Sequence, residues 1–213
     1  MDLGLEGKVA IVTGGSDGIG KAAAISMASE GAKVAIVGRT QSKLDDAVAE
    51  IKKASGGEAI GVAADVSVES DVKAMVEKVV SEYGKLDILV NNAGTSSSTT
   101  LEKMTDEDLK VDFGIKVYGA VYCARAALPH LKKSGAGAIV NTTTPGGKAA
   151  NPGSQPTSLS RAAGISLTKS WAGEFAKDNI RVNTVCVGVL KSGQHRTRSV
   201  SYTHLTLPTI LLV

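Results

Sequence analysis

Residues 9–20 read VAIVTGGSDGIG, and this segment sets the architecture expected for the chain. The apolar and β-branched run from Val9 to Thr13 predicts a buried strand, and the glycines after it predict a tight turn. An alanine-rich segment from Ile19 to Glu30 then predicts a helix that ends at Gly31. A strand, a glycine-rich turn and a helix in direct succession are typical of the first βα unit of a parallel sheet.

The same alternation continues along the rest of the chain. Further strands are predicted at residues 34–37, 59–63, 88–91, 138–141 and 181–185. Helices are predicted between them, around residues 44–55, 72–83, 113–133 and 161–177. The pattern predicts an α/β fold, a Rossmann-type doubly wound parallel sheet of about six strands in the order 3-2-1-4-5-6, with helices on both faces. The proline-rich segment 144–156 predicts an irregular loop beside the ligand.

Composition limits the classes of function. The 213 residues are 43% hydrophobic and 21% charged, which favours one globular domain. The 24 Lys and Arg against 21 Asp and Glu give a net charge of +3 with no basic block, so neither nucleic acid nor a membrane surface is an expected partner. No apolar run approaches the ~20 residues of a membrane span and the N-terminus lacks a signal-peptide pattern, so we expect a cytoplasmic protein. Two cysteines, Cys123 and Cys186, are too few to form a metal site by themselves, and no metal is expected.

The glycine turn is the first candidate binding element. Its spacing, Gly14-x-x-x-Gly18-x-Gly20, lets the backbone approach a pyrophosphate that rests on the following helix N-terminus. A glycine-rich turn alone is weak support, because many βα turns use glycine only for tight geometry. Two further motifs stand at predicted strand ends: Asp65-Val66 after the third strand and Asn91-Asn92-Ala93-Gly94 after the fourth.

In order and spacing, these motifs resemble the short-chain dehydrogenase/reductase family from about Leu5 to Gly193. The resemblance implies an NAD(P)-dependent oxidoreductase that transfers a hydride between nicotinamide and a small-molecule alcohol or ketone, and a homo-oligomer when full length. The cofactor-binding residues that it implies are Gly14, Ser16, Asp17, Gly18, Ile19 and Gly20 in the turn, Asp65 and Val66 at the adenine, Asn92, Ala93 and Gly94 beside the adenosine and ribose, and Arg161 at the ribose hydroxyls. For Asn91, an amide that only ties neighbouring strands together is an equal alternative.

The choice between NAD and NADP depends on the end of the second strand. An acid there binds the ribose 2′-hydroxyl of NAD, whereas an Arg suits the 2′-phosphate of NADP. This chain has Gly38-Arg39-Thr40, so Arg39 favours NADP unless it is only a solvated surface residue. Asp17 points the other way, because NADP-preferring relatives often carry a basic residue at its place. NADP is the cofactor predicted.

The expected catalytic residues differ from those usual in the family. Family members usually carry Tyr-x-x-x-Lys, a Ser thirteen residues before that Tyr, and an Asn on the preceding long helix. The corresponding positions here are Thr157, Arg161, Thr144 and Lys116. An aliphatic hydroxyl is a far weaker acid than a phenol, and a guanidinium does not release its proton. Thr144 keeps the hydroxyl of the usual Ser.

Lys116 offers three interpretations. Next to Arg161 and a cationic nicotinamide its pKa would fall, which would make it a replacement acid. In the second, Lys116 and Arg161 together receive an anionic substrate or polarise a carbonyl. In the third, Lys116 simply faces solvent or contacts a helix terminus. Two functions therefore stay open: an oxidoreductase with a non-standard proton donor, or a catalytically inactive dinucleotide-binding protein that serves as a sensor or a silent subunit. Turnover distinguishes them.

The end of the chain does not resemble a domain end. Residues 200–209 read VSYTHLTLPT, which equals one frame of a transposase-type sequencing adapter. We therefore expect residues 1–198 to form a single dinucleotide-binding (Rossmann) domain that lacks its usual C-terminal end, and residues 199–213 to be a non-native tail.

Overall fold

A computed structural model describes residues 3–188 of the chain. Its strands are β1 (Val9–Thr13), β2 (Lys33–Gly38), β3 (Ala59–Ala63), β4 (Ile88–Asn91), β5 (Ser98–Thr99), β6 (Ala138–Thr143), β7 (Gln155–Pro156) and β8 (Arg181–Cys186). Its α-helices are α1 (Gly18–Ser29), α2 (Gln41–Ser55), α3 (Glu69–Tyr83), α4 (Asp106–Phe113), α5 (Gly119–Ser134) and α6 (Thr157–Phe175). A π-helical turn, Gly114–Tyr118, joins α4 to α5. The predicted tail, residues 199–213, lies outside the described residues.

Six of the strands form one parallel sheet in the order β3-β2-β1-β4-β6-β8. Counted along the chain without the two short strands, this is the order 3-2-1-4-5-6, so the predicted Rossmann-type topology is confirmed. The register aligns the carboxyl ends of the central strands: Thr13 lies opposite Val37, and Asn91 lies opposite Asn141. Ligands bind at this edge of such sheets.

Apolar layers cover both faces of the sheet. On one face, α1 and α2 contribute Ala24, Ala28, Leu44 and Ile51 to a buried cluster. On the other, α3, α5 and α6 pack against the sheet. The helical spacing of apolar residues in segment 72–83 predicts one buried face. Four of them, Val72, Met75, Val76 and Val79, are each at most 1% exposed in this second layer, and Val80 and Tyr83 are partly buried against it. This burial fixes the strand ends that carry the site.

Helix ends agree with the sequence signals at some places and differ at others. The second and third helices end at Gly56 (φ 69°) and Gly84 (φ 79°), as their glycines predict. The helix predicted from residue 113 is instead preceded by α4, which begins after Thr105. The Thr105 side chain and the Asp108 side chain cap this start reciprocally. The helix predicted from Arg161 begins four residues earlier, at Thr157.

A short two-stranded ribbon was also not predicted. Strands β5 and β7 are two residues each and pair antiparallel, with Ser98 opposite Pro156 and Thr99 opposite Gln155. The Gln155–Pro156 peptide bond is cis. Such short strands have no measurable periodicity, and β7 lies inside the segment predicted as an irregular loop. The pair places residues 97–99 beside the start of α6.

Within residues 3–188, no helix has both the length and the apolar character that crossing a bilayer requires.

Candidate active site

The site is organised around Thr13, the last residue of β1. Its hydroxyl donates to the carbonyl of Val90 (3.2 Å) and accepts from the backbone N–H groups of Asn92 (2.9 Å) and Ala93 (3.0 Å). The Asn92 amide in turn donates to the carbonyls of Thr13 (3.0 Å) and Gly14 (3.2 Å). These bonds hold the loop after β4 against the glycine turn. Sequence reasoning missed Thr13, although a polar residue at the end of a buried strand was a visible signal.

Two glycines make this close approach possible. Gly14 has φ 65°, and a Cβ on it would lie 2.9 Å from the Cα of Ala93. A Cβ on Gly20 would lie 2.3 Å from the carbonyl oxygen of Gly14 and 2.6 Å from the Asn92 amide nitrogen. Neither position has room for a larger residue, because the neighbouring atoms belong to the backbone or to a hydrogen-bonded amide.

The first turn of α1 faces an open cleft. The cleft encloses about 800 Å³ and opens to solvent. Its lining residues are Gly14, Ser16, Asp17, Gly18, Ile19, Asn92, Gly94, Thr142 and Arg161. Asp17 is the N-cap, but its side chain makes no capping hydrogen bond and α1 has no acidic residue in its first turn, as far as the described chain shows. The N–H groups of this turn are therefore available to an anion, and the cradle fits a diphosphate.

A second part of the cleft lies beyond the ends of β2 and β3. This part encloses about 760 Å³. The residues that line it include Gly38, Arg39, Thr40, Lys43, Asp65 and Val66. Two of them, Arg39 and Lys43, are exposed cations. Lys43 was not predicted, because its reach depends on the turn between β2 and α2. This part of the cleft therefore presents positive charge to a bound ligand.

Asp65 is held as an anion beside this space. The Ser67 hydroxyl donates to its Oδ1 (2.6 Å) and lowers the carboxyl pKa most. Burial raises the pKa, whereas the Ser67 backbone N–H (2.9 Å) and the charge of Arg39 lower it further, so that the net change is downward. The carboxylate is thus fixed in orientation and remains an acceptor at neutral pH.

The Asn91 side chain forms a hydrogen bond between two strands of the sheet. Its amide donates to Asn141 Oδ1 across the β4–β6 pair (3.0 Å), and the Asn141 amide donates to Thr168 on α6 (2.9 Å). This chain of bonds supports the alternative in which the Asn91 amide ties neighbouring strands together.

Three of the four predicted catalytic residues, Lys116, Thr157 and Arg161, lie close together, and Lys116 is buried. Lys116 lies on the π-helical turn and contacts Asp112 Oδ2 through its ammonium nitrogen, Nζ. The same ammonium donates to the hydroxyl of Thr157 (3.0 Å). The Thr157 hydroxyl also accepts from the backbone N–H of Ser97 (3.1 Å) and donates to Asp112 Oδ2 (3.2 Å). The side chains of Lys116 and Asp112 are each only 1% exposed, so water hardly screens their charges.

Burial and charge act in opposite directions on Lys116. Loss of hydration lowers its pKa most, and the charge of Arg161 lowers it further, whereas the hydrogen bond and charge of Asp112 raise it. The net effect lowers the Lys116 pKa to about 8. An ammonium of this acidity gives up a proton far more readily than an ordinary lysine.

Arg161 completes the cluster. One terminal nitrogen, Nη1, donates to the carbonyl of Thr142 (2.5 Å), and the Nε atom is buried without a hydrogen-bond partner in the described part of the chain. Burial lowers the pKa of Arg161, and the Asp112 charge opposes this. Arg161 also lines the cleft at α1, so it connects the buried cluster with the cofactor space.

Thr144, the fourth predicted residue, is separate. It precedes a short helical turn, Pro145–Gly147, and its carbonyl accepts from the Gly147 N–H (3.0 Å). No hydrogen bond joins its side chain to Lys116, Thr157 or Arg161 within residues 3–188. The structure therefore joins Lys116 to Thr157 by a hydrogen bond and places Arg161 with Lys116 on the lining of one small cavity, on which Thr144 does not lie.

Asp112 and Ser97 were also missed. The four-residue spacing from Asp112 to Lys116 was a signal for an ion pair on a helix, but nothing in the sequence marked its face as buried. The contact of Ser97 with Thr157 depends on the β5–β7 pair, which has no sequence signature. Between residues 3 and 188, no group of three or more His, Cys, Asp or Glu side chains is arranged to hold a metal ion.

The sheet order, the glycine turn and the cleft above it define a Rossmann-type dinucleotide-binding protein. The family profile described as short chain dehydrogenase matches residues 8–201. The chain therefore belongs to the short-chain dehydrogenase/reductase family of oxidoreductases, as the sequence motifs predicted.

Relatives and solved structures agree with this membership. The 3-oxoacyl-(acyl-carrier-protein) reductase FabG of Thermotoga maritima is 37% identical over 190 residues, which are 88% of this chain and 76% of that protein. The L-sorbose reductase of Gluconobacter frateurii, solved with NADPH and L-sorbose, has a TM-score of 0.87 at 37% identity, covering 91% of this chain and 73% of that one. The 3-ketoacyl-(acyl-carrier-protein) reductase of Brucella melitensis, solved with NADH, has a TM-score of 0.85 at 35% identity, with 91% and 80% covered. The cofactor class is therefore a nicotinamide dinucleotide.

Proposed function

We propose that the protein is an NADP-dependent oxidoreductase that interconverts a small ketone and its alcohol, with Lys116 as the source of the proton and Thr157 as the group that passes it on. The observation that carries this proposal is the 3.0 Å hydrogen bond from the Lys116 ammonium to the Thr157 hydroxyl. It joins a buried acid of lowered pKa to a hydroxyl that is half-buried at the start of α6.

Different residues of the chain bind different parts of the cofactor. The turn from Gly14 to Gly20 and the first turn of α1 hold the diphosphate, and Asp65 and Val66 hold the adenine. Residues 92–94 and Arg161 hold the adenosine and ribose. When bound, the nicotinamide supplies the hydride in reduction and accepts it in oxidation.

Proton delivery in the reduction has two coupled steps. As the carbonyl carbon gains a hydride, the electron pair of its C=O bond moves to oxygen, and that oxygen takes the proton of the Thr157 hydroxyl. Thr157 regains a proton from the Lys116 ammonium, which becomes a neutral amine and is reprotonated from solvent. The two transfers occur together, because an isolated alkoxide of Thr157 would be too basic to form.

Arg161 stabilises developing negative charge and does not transfer a proton. Its guanidinium stays protonated, and one face of it reaches the cofactor cleft. A fixed cation near the developing alkoxide favours the transition state over the neutral ketone.

The preference for NADP rests on the cations at the adenosine end. Arg39 and Lys43 line the same space, so a 2′-phosphate there would meet two positive charges. Asp17 lies in the turn at the diphosphate end and does not line this space. The expectation that the full-length protein is a homo-oligomer rests on the family resemblance.

A specific observation favours the second candidate, an inactive dinucleotide-binding protein. The Thr157 hydroxyl already has three partners, Lys116, Ser97 and Asp112, so a carbonyl must displace one of them to receive its proton.

Turnover and binding measured together distinguish the two functions. NADPH binding is measured by the cofactor's fluorescence, and its oxidation is followed with a panel of small ketones that includes keto sugars and 3-oxoacyl thioesters. We expect binding and ketone-dependent oxidation. Binding without oxidation of NADPH across the panel, and without reduction of NADP by the matching alcohols, would support the inactive alternative.

A further inference from the structure

Asp112 lies where both members of the proposed proton path meet. It is in the last turn of α4, four residues before Lys116, and its side chain is 1% exposed. One oxygen, Oδ2, contacts the Lys116 ammonium and accepts from the Thr157 hydroxyl at 3.2 Å. A single carboxylate oxygen therefore sets the position of the ammonium relative to the hydroxyl.

The negative charge of Asp112 also raises the pKa of Lys116. Among residues 3–188, the charged groups that act on Lys116 are Asp112 from α4 and Arg161 from α6. Cys123 from α5 lines the same small cavity, but burial raises its thiol pKa to about 12, so it is neutral. The strands contribute the neutral amides of Asn91 and Asn141. Without the Asp112 carboxylate, no described residue would oppose the charges of Lys116 and Arg161, which strongly favours loss of the lysine proton.

The other oxygen of Asp112 argues against a purely structural role. Oδ1 is buried and has no hydrogen-bond partner among the described residues. Asp87, a structural carboxylate at the opposite edge of the sheet, differs: its Oδ1 accepts from Ser134 and its Oδ2 from the Val9 N–H. A buried carboxylate with one unsatisfied oxygen costs stability, so its presence calls for a role other than holding the fold.

We propose that Asp112 is a positioning residue that holds the Lys116 ammonium against the Thr157 hydroxyl and keeps its positive charge through the neutral pH range. This inference rests on the proposed function, since it assigns the residue that makes the lysine a usable acid. Asp112 does not touch the substrate in this arrangement and acts only through its two neighbours.

The sign of the pH dependence follows from the direction of proton transfer. Lys116 must carry its proton to reduce a ketone, so kcat is constant at low pH and falls as the pH rises through the Lys116 pKa of about 8. Asp112→Asn removes the carboxylate that raises this pKa. The fall in kcat then begins at a lower pH, by about one pH unit or more.

The test measures the pH profile of kcat in wild type, Asp112→Asn and Asp112→Glu, with Asp106→Asn as the control on the exposed side of the same helix. We expect Asp112→Asn to lower the pH at which kcat falls and to recover near-wild-type kcat below that pH. Asp112→Glu keeps the charge and should restore the wild-type profile. A kcat lowered equally at every pH, with no movement of the profile, would show a merely structural role and overturn the inference.

A second readout does not depend on turnover. The titration of the Lys116 ammonium is followed by nitrogen-15 NMR of the side-chain Nζ in the NADP-bound protein, with Lys116→Arg used to assign the signal. We expect its midpoint in Asp112→Asn to lie about one pH unit or more below wild type. If this midpoint moves but no ketone is reduced, the proposed function fails while the role of Asp112 stands. An unmoved midpoint would overturn the role of Asp112 whatever the activity.

Discussion

The ammonium of Lys116 lies 3.0 Å from the hydroxyl of Thr157, although 41 residues separate them in the chain. The π-helical turn between α4 and α5 carries the lysine, and the first residue of α6 carries the hydroxyl. Both elements pack at the carboxyl edge of the sheet, beside the cleft that fits a dinucleotide. In the proposed function, the carbonyl of the substrate lies beside this pair.

Removal of the Thr157 hydroxyl should stop catalysis and leave the cofactor site intact. Thr157→Val keeps the size of the side chain but neither receives nor passes a proton, so we expect kcat to fall about 100-fold or more. Thr157→Ser keeps the hydroxyl and should retain much of the wild-type kcat. The measurement is steady-state NADPH oxidation with a saturating ketone. Equal rates for the valine and serine variants would show that the hydroxyl passes no proton.

Coenzyme preference should depend on Arg39 and Lys43. Removal of either charge as Arg39→Ala or Lys43→Ala should lower kcat/KM for NADPH about tenfold, because a charge-assisted contact to the 2′-phosphate is lost. The value for NADH should change little. Lys53→Ala, at the far end of α2, is the matched control. A similar decrease in kcat/KM with both coenzymes would show that these cations do not bind the 2′-phosphate.

Gly20 tests the contact between the turn and the loop after β4. In Gly20→Ala the new methyl group would lie 2.6 Å from the Asn92 amide nitrogen in the loop after β4, so the turn and this loop must separate. We expect NADPH affinity to fall about tenfold or more, with a lower melting temperature. Gly173→Ala is the control, because its Cβ meets nothing within 4 Å in the described chain, and alanine favours a helix. Unchanged NADPH affinity in Gly20→Ala would contradict the contact.

Protonation of the Asp87 carboxylate should make the protein less stable in acid. Burial raises its pKa, but the hydrogen bonds from Ser134, Val9 and Lys85 and the charge of Lys85 together bring the pKa below its usual value. Because the folded pKa is lower than the unfolded one, this stabilisation is present above the unfolded value and is lost as the pH falls through the folded value.

Chemical denaturation at several pH values measures this effect. Asp87→Ala should lower the free energy of unfolding at pH 7 by about 1–3 kcal/mol, since the buried Val9 N–H loses its acceptor. The variant should also show a weaker loss of stability in acid than wild type. Asp46→Ala on the exposed face of α2 serves as control. The same acid dependence in the Asp87 variant and wild type would assign the effect to other carboxyls.

The sequence was sufficient for the sheet because strands and turns there have strong local signals. The predicted bounds of β1, β3 and β4 match the structure. The apolar runs of β1 and β4 end at the polar residues Thr13 and Asn91, which mark the strand ends in the sequence. The start of α4 was missed because its capping box uses Asp108 rather than the commoner Glu. Strands β5 and β7 are too short to show a period.

The candidate site was predictable only in part. Lys116, Thr157 and Arg161 were found through the family resemblance, and their meeting in one cluster is a tertiary property. Asp112 was missed because a four-residue Asp–Lys spacing is common on solvated helix faces, and burial of this face depends on the packing of α6 against the π-helical turn. Lys43 was missed because its place on the cleft lining depends on the turn before α2.

The decisive measurement is kcat for Lys116→Arg with NADPH and a ketone. This variant keeps the positive charge opposite Asp112, but a guanidinium does not release its proton to Thr157. We predict that kcat falls about 100-fold or more while NADPH affinity stays close to that of wild type. Lys110→Arg, exposed on α4, should leave both unchanged. A Lys116→Arg protein that reduces ketones at the wild-type rate would contradict the assignment of Lys116 as the proton source.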